Sequence, residues 1–442
     1  MTLAELSKIL QDNGIVGAGG AGFPTYAKLS EKAETIILNC AECEPLLKLH
    51  RQVLKKNTVE IFDTLCQIAE TLGAKDIVIA IKEAYKTTLQ AVRATLPAYK
   101  NIRLSLLPEV YPAGDEVMIV YETTGKIVPP GKIPISVGAI VFNVETVFNI
   151  YKAINKKEPV TYKYITLAGE IEKPITVKAP LGVTFDEVLK KAEGLTVEDF
   201  ALISGGPMTG TVATLSDVVT KTTNAILVFP KDHYIINKKL SNNKHNMKRA
   251  MSACCQCRMC TDLCSRNLLG HPIKPHEFMR AATSGDTRKL EPFLNTFYCS
   301  GCGLCEMYAC QQGLSPRTLI AEYKAGLRKN GIKPPENVQS EGINPLRELR
   351  QVPKARVKRR LGLSDYNRAA PIDENLIKTD KVKILLSQHI GAPAKPVVEK
   401  GTKVKVGQLI AEAGKGLSVN IHASIDGTVT KVCDDFIIIS AN

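Results

Sequence analysis

Eight of the thirteen cysteines fall into two runs that share a C-x-x-C-x-x-C triplet followed by a fourth cysteine. Cys254, Cys257, Cys260 and Cys264 read C-x-x-C-x-x-C-x-x-x-C; Cys299, Cys302, Cys305 and Cys310 read C-x-x-C-x-x-C-x-x-x-x-C. Three thiolates at three-residue steps let a tight loop wrap one iron–sulfur cube, and where two such runs occur the remote fourth cysteine of each ligates the other cube. The spacing therefore predicts two 4Fe–4S clusters. Cys254, Cys257, Cys260 and Cys310 hold one, and Cys299, Cys302, Cys305 and Cys264 the other. Structural zinc is the competing reading, but it takes separated knuckles or mixed Cys/His sets rather than crowded triplets. Cys255 is spare and is expected to be a buried thiol.

A second stretch raises a different question. Residues 17–28 read GAGGAGFPTYAK. Such a loop can bring backbone N–H groups close to a phosphate, although an ordinary turn also fits. It is neither a G-x-G-x-x-G turn directly after a strand nor a P-loop. The clusters weigh on the choice. They carry single electrons, whereas a soluble hydride donor gives two, and a flavin is the usual converter.

The elements that would position these residues are legible in outline. Leu3, Leu6, Ile9 and Leu10 share a helical face, with Gly14 as a stop. Apolar runs at 35–38, 76–81 and 102–107 alternate with helical stretches, which predicts a parallel sheet over residues 1–155 with ligands beyond the strand ends. Residues 160–232 read as a small α+β module, 245–330 as the cluster region, 331–382 as a basic linker and 383–442 as a β-rich sandwich or barrel. The fold class is multidomain α/β and α+β.

Composition is that of a soluble protein, 44% apolar and 23% charged, with no membrane-length apolar run and no signal-like start, so a cytoplasmic location is expected. Cysteines in a reducing compartment favour metal or redox chemistry over disulfides. The net charge is +14, and the run RQVPKARVKRR (350–360) would suit an acidic partner or nucleic acid. With no interleaved aromatics, the run is read as a solvated linker and no nucleic acid is expected.

GAGGAGFPTYAKL (17–29), LNCAECEP (38–45), YPAGDE (111–116) and FNVETV (142–147) occur in register before the cysteine runs. Together they resemble the NADH-binding flavoprotein subunit of complex I, more closely the C subunit of the Rnf electron-transport complex, and more closely still the PduS-like cobalamin reductases of propanediol utilisation. The resemblance implies a Rossmann-like flavin domain, a β-grasp (SLBB) domain, a two-cluster ferredoxin-like module and a C-terminal barrel-sandwich hybrid domain. It implies FMN held by Gly17, Gly19, Gly20 and Gly22, with Lys28 on the phosphate. Asn39 and Glu42 would contact the flavin, Gly114, Asp115 and Glu116 would lie at its face, and Asn143 and Thr146 would close the pocket. Phe23 and Glu44 would meet NADH. Ala41 stands where the complex I subunit has Asp, and a second adenine-stacking aromatic is missing. Cys40 and Cys43, inside the flavin motif, are expected to be packing residues rather than a redox pair.

The implied activity is NADH-driven reduction of cobalamin through FMN and two clusters, in support of B12-dependent 1,2-propanediol degradation in a bacterial microcompartment. The implied partners are a cobalamin adenosyltransferase and a shell protein. An Rnf-type C subunit serving a ferredoxin or membrane partner is the alternative. HIGAPAKP (389–396) argues against it, because Rnf C subunits carry that module before the flavin domain. His271 or His276 could ligate cobalt, although contacts fixing the loop are the preferred reading. Lys415 lies where lipoyl domains carry a modified lysine, but a docking surface is preferred. The N-terminal helix could target a shell, but is preferred as the first helix of the flavin domain.

Overall fold

The computed structural model describes all 442 residues. Helix α1 (Leu3–Asp12) starts at a capping box in which Thr2 and Glu5 satisfy each other's backbone N–H groups. Its Leu6 and Leu10 are fully buried in the main core, so the stripe read from sequence packs inward. Strands β1 (Thr35–Cys40), β2 (Asp76–Lys82), β3 (Ile102–Leu107) and β5 (Ala139–Asn143) form a parallel sheet ordered β3-β2-β1-β5; β4 (Val110–Tyr111) lies outside it. Ile36 and Leu38 face the core shared with α1, α2 (Leu49–Lys56), α3 (Thr58–Leu72) and α6 (Val144–Tyr151). Ile37 and Val78 face α5 (Glu116–Thr124), while α4 (Lys86–Thr95) covers the outer side of α2. Burial on both faces explains why β1 and β2 read as continuous apolar runs.

The next unit is a six-stranded mixed sheet ordered β12-β7-β6-β10-β8-β9, built from β6 (Tyr162–Gly169), β7 (Ile175–Pro180), β8 (Phe200–Ser204), β9 (Thr211–Ala213) and β10 (Ala225–Pro230). Its edge strand β12 (Ile372–Leu376) comes from beyond the cysteines. Residues 331–382 are thus more than the expected linker. β11 (Val352–Pro353) pairs antiparallel with β4, Val357 and Leu361 are buried, and buried Lys354 donates to the Glu42 carbonyl at 2.8 Å. The buried valines and leucines sit between the charges, which hid their pattern.

The cysteine region is a set of short helices around Phe278, Phe293 and Tyr323. The C-terminal unit closes a four-stranded and a three-stranded sheet over Val382, Ile384, Ile410 and Ile437. It docks on the glycine loop: the Ile390 N–H donates to the Gly22 carbonyl at 3.3 Å. No helix is long and apolar enough to cross a membrane.

Candidate flavin and iron–sulfur sites

The parallel sheet ends where ligands are expected, at the carboxyl ends of β1 and β5. There Asn39 and Asn143 are paired in register. They line a cavity of about 300 Å³ together with Gly17, Gly19, Gly20, Gly22, Phe23, Lys28, Gly114, Glu116 and Thr146. The loop is held by the Ala18 N–H donating to Thr146 Oγ1 at 2.9 Å and the Gly17 N–H to the Phe23 carbonyl at 2.9 Å. A Cβ on Gly19 would lie 2.5 Å from the Asn143 amide, whereas one on Gly20 would meet nothing within 4 Å. Asn143 caps α6 with its side-chain oxygen, and Asn39 donates to the Gly114 carbonyl at 2.9 Å. Lys28 is the cation of the cavity, paired with Glu116 at 2.6 Å. Open backbone at Gly20 beside a lysine and two amides fits a phosphorylated planar ligand.

Three residues of the expected set lie elsewhere. Glu42 is buried beneath the strand end, pairing with Arg51 at 2.7 Å and accepting from the His50 N–H at 2.9 Å. Burial opposes its ionisation, but Arg51 and His50 outweigh it and hold the carboxyl below its usual range. Glu44 reaches the 204–210 turn, where it accepts from the N–H groups of Met208 and Thr209 and the Thr209 hydroxyl at 2.6–3.0 Å. Asp115 caps α5 and receives a forked pair from Arg266 at 2.8 Å. That pair ties the cavity's rim to the residues following Cys264.

Behind the cavity lies a buried network that the sequence did not reveal. The Asn143 amide sits 3.3 Å from the His50 ring, His50 is 3.8 Å from Glu145, and Glu145 pairs with Lys163 of β6. Burial opposes the Glu145 charge, yet Lys163 and His50 bring its pKa to about 2. Only its place inside FNVETV pointed to it. Cys40 is buried in the core and Cys43 touches the space over Gly114, as packing residues do.

The two cysteine runs fold alike. The residues two and four positions after the first cysteine are left-handed in both, Gln256 and Arg258 in one and Gly301 and Gly303 in the other. Cys254, Cys257, Cys260 and Cys310 line one cavity of about 60 Å³. Burial and the thiols of Cys310, Cys254 and Cys257 push Cys260 up to about 12. Burial and Cys264 likewise push Cys302 up to about 12, with Cys299 adding to it, and Cys305 is raised well above its usual value by burial, Cys299 and Cys302. The fourth cysteine of each run thus lies with the triplet of the other. No three His, Cys, Asp or Glu side chains converge as they would around a single metal ion. Backbone N–H groups reach sulfur at Cys299 from Gly301 (3.4 Å) and at Cys310 from Leu314 (3.3 Å). Four thiols spread around a cavity, with amide donors to sulfur, fit a cube rather than zinc. Contrary to expectation Cys255 is exposed, because the loop turns it outward beside Cys254.

His271 is buried and bonds the Val128 carbonyl through Nε2 at 3.0 Å; burial and Arg266 lower its pKa to about 4. His276 meets Thr261 at 2.7 Å on the wall of the first thiol cavity. Lys415 is exposed in a turn whose Gly416 carbonyl accepts from Tyr26 at 3.4 Å.

Three family models match: the Nuo51 FMN-binding domain over residues 10–152, a 4Fe-4S dicluster domain over 253–315, and the RnfC barrel sandwich hybrid domain over 364–440. Cobalamin reductase PduS of Citrobacter freundii is 41% identical over 96% of this chain and 94% of its own, and that of Salmonella typhimurium is 40% identical over 98% and 96%. The chain belongs to the PduS cobalamin reductase family. The C subunit of an ion-translocating oxidoreductase complex from Edwardsiella ictaluri is 31% identical, over 61% of this chain but 33% of its own. An NAD+-reducing NiFe-hydrogenase structure aligns over 76% of this chain and 64% of its own at a TM-score of 0.49 and 19% identity. The FMN-binding and 4Fe–4S units of this PduS family member lie within one chain of 442 residues.

Proposed function

We propose that the chain is an NADH-dependent flavin iron–sulfur reductase that delivers electrons to cobalamin. The observation that carries this reading is a glycine-loop cavity whose rim is tied by the Asp115–Arg266 pair to the cysteine region, in a chain of the PduS family. When bound, FMN would take the hydride pair and the 4Fe–4S clusters would carry electrons singly. One NADH oxidised to NAD+ and a proton supplies two electrons, enough to reduce two cob(II)alamins to cob(I)alamin.

The residues divide this work. The N–H groups around Gly20, with Lys28, would neutralise the FMN phosphate, while Asn39 and Asn143, their amides held by the Gly114 carbonyl and the α6 cap, would shape the cavity around the ring. Phe23, on the cavity wall, would offer a face to the nicotinamide. Glu44 is committed to the 204–210 turn and would act on the donor only by shaping that turn. Tyr111 of β4 donates to the Cys302 carbonyl at 2.6 Å, and Arg266, two residues after Cys264, pairs with Asp115 at the cavity rim at 2.8 Å. The Cys264/Cys299/Cys302/Cys305 site therefore faces the flavin, and the more exposed Cys254/Cys257/Cys260/Cys310 site faces the acceptor. Reduced cobalt reoxidises quickly, so the reading includes hand-over to an adenosyltransferase within a microcompartment. The stripe of α1 is buried and would not serve as a shell signal.

The test is anaerobic purification with flavin and iron analysis, followed by NADH titration with cobalamin. About one FMN and eight irons per chain, with NADH-driven cob(I)alamin, are expected. Equal cobalamin reduction by a Cys257→Ser/Cys302→Ser variant would overturn the route through the clusters.

A further inference from the structure

A groove of about 550 Å³ between the cysteine loops and the basic strap of residues 349–360 has no part in the sites above. On one wall Met259 precedes Cys260, Leu263 precedes Cys264, and Tyr308 and Gln311 lie either side of Cys310. Gln311 also lines the cavity bounded by Cys254, Cys257, Cys260 and Cys310, so the groove and that thiol site share a wall. The opposite wall carries Arg350, Arg356 and Arg360. Arg350 is paired with Asp262 at 3.1 Å, but no carboxylate lies within ion-pair reach of Arg356 or Arg360. Leu349, at the rim, is 83% exposed.

Two arginines on a solvated helix are ordinarily only a soluble surface. Here the helix is fixed from below. Val352 pairs with Tyr111, Val357 is fully buried, and Lys354 is anchored on the Glu42 carbonyl. The segment that carries the two arginines is thus fixed beside an apolar wall that backs onto the thiols.

We infer that this groove is the acceptor site, with an edge of the corrin against Met259, Leu263, Tyr308 and Leu349 and the phosphodiester of the nucleotide tail on Arg356 and Arg360. The inference rests on the proposal that cobalamin is the acceptor. Cobalamin is a methyl- and amide-rimmed macrocycle with one phosphodiester anion. That combination matches an apolar wall facing two unpaired guanidinium groups, and arginine's planar fork suits phosphate. Placement here also brings cobalt to the more exposed thiol site.

The experiment is equilibrium dialysis of the anaerobically purified holoprotein and of Arg356→Gln/Arg360→Gln against cobalamin. Cobinamide, the same corrin without the phosphodiester tail, is the second ligand. Wild type is expected to prefer cobalamin by about tenfold, the size of a charge-assisted contact, and the double variant to bind both ligands alike with full iron and flavin content. A second variant, Leu349→Asp, is expected to weaken both ligands together. A double variant that keeps the preference, or a wild type that shows none, overturns the groove. If wild type still reduces cobalamin in that case, the proposed function stands. If wild type neither binds nor reduces cobalamin, both fall.

Discussion

Gly19 and Gly20 are neighbours in one loop, yet a side chain would do different damage at each. At Gly19 the new Cβ collides with Asn143, which also caps α6, so Gly19→Ala disturbs the fold as well as the cavity. At Gly20 nothing is displaced except what the cavity would hold. Gly20→Val should therefore give protein with wild-type iron and melting behaviour but little FMN, read by flavin release on denaturation. Full flavin occupancy would show that the loop binds something else. Lys28 tests the same cavity electrostatically. Lys28→Met removes the positive charge that Glu116 holds in place, and should weaken FMN by about tenfold, with the loss shrinking in high salt.

At the scale of elements, the matched cysteine loops carry unequal strain. Both need left-handed residues at the same two positions; one supplies Gly301 and Gly303, the other Gln256 and Arg258. A left-handed non-glycine costs about 1 kcal/mol or more, and the Arg258–Asp262 pair at 3.4 Å is too exposed to repay it. Arg258→Gly should raise the stability of the iron-loaded protein by about 1 kcal/mol, measured by anaerobic denaturation; a fall would mean that Arg258 holds the loop by contacts. The ligand pattern was legible in sequence because cluster chemistry is written in short spacings, and the glycine loop because its motifs are contiguous. Glu44 was not, since its partners lie 164–165 residues away and only the packing of the second sheet on the first brings them together. The 350–360 strap was hidden for another reason. Its charges dominate the composition, while Val352, Val357 and Leu361, which decide its structure, are too few to show a period.

For the whole molecule, the decisive contact is one no motif announced. Lys221 is 1% exposed where three units meet. Its ammonium donates to the Gly14 carbonyl at 2.7 Å and the Asn420 carbonyl at 3.0 Å, and its N–H to Gln388 at 3.0 Å. Gly22 packs directly against Gln388 and His389, so this junction also backs the glycine loop. No carboxylate offsets the charge, and burial lowers the lysine from 10.5 to about 7. The unfolded chain then binds the extra proton between about pH 7 and 10.5, so this group makes stability rise with pH across that window; below it both states are protonated and the burial penalty is complete. Lys221→Met has no proton to lose. Urea denaturation of both proteins at pH 7, 8, 9 and 10 should therefore show the wild type gaining on the variant as pH rises, with FMN retention following the same trend. A gap that stays constant with pH would mean that the two carbonyls keep the ammonium charged, and that the C-terminal barrel is held on the flavin loop by a permanent buried cation.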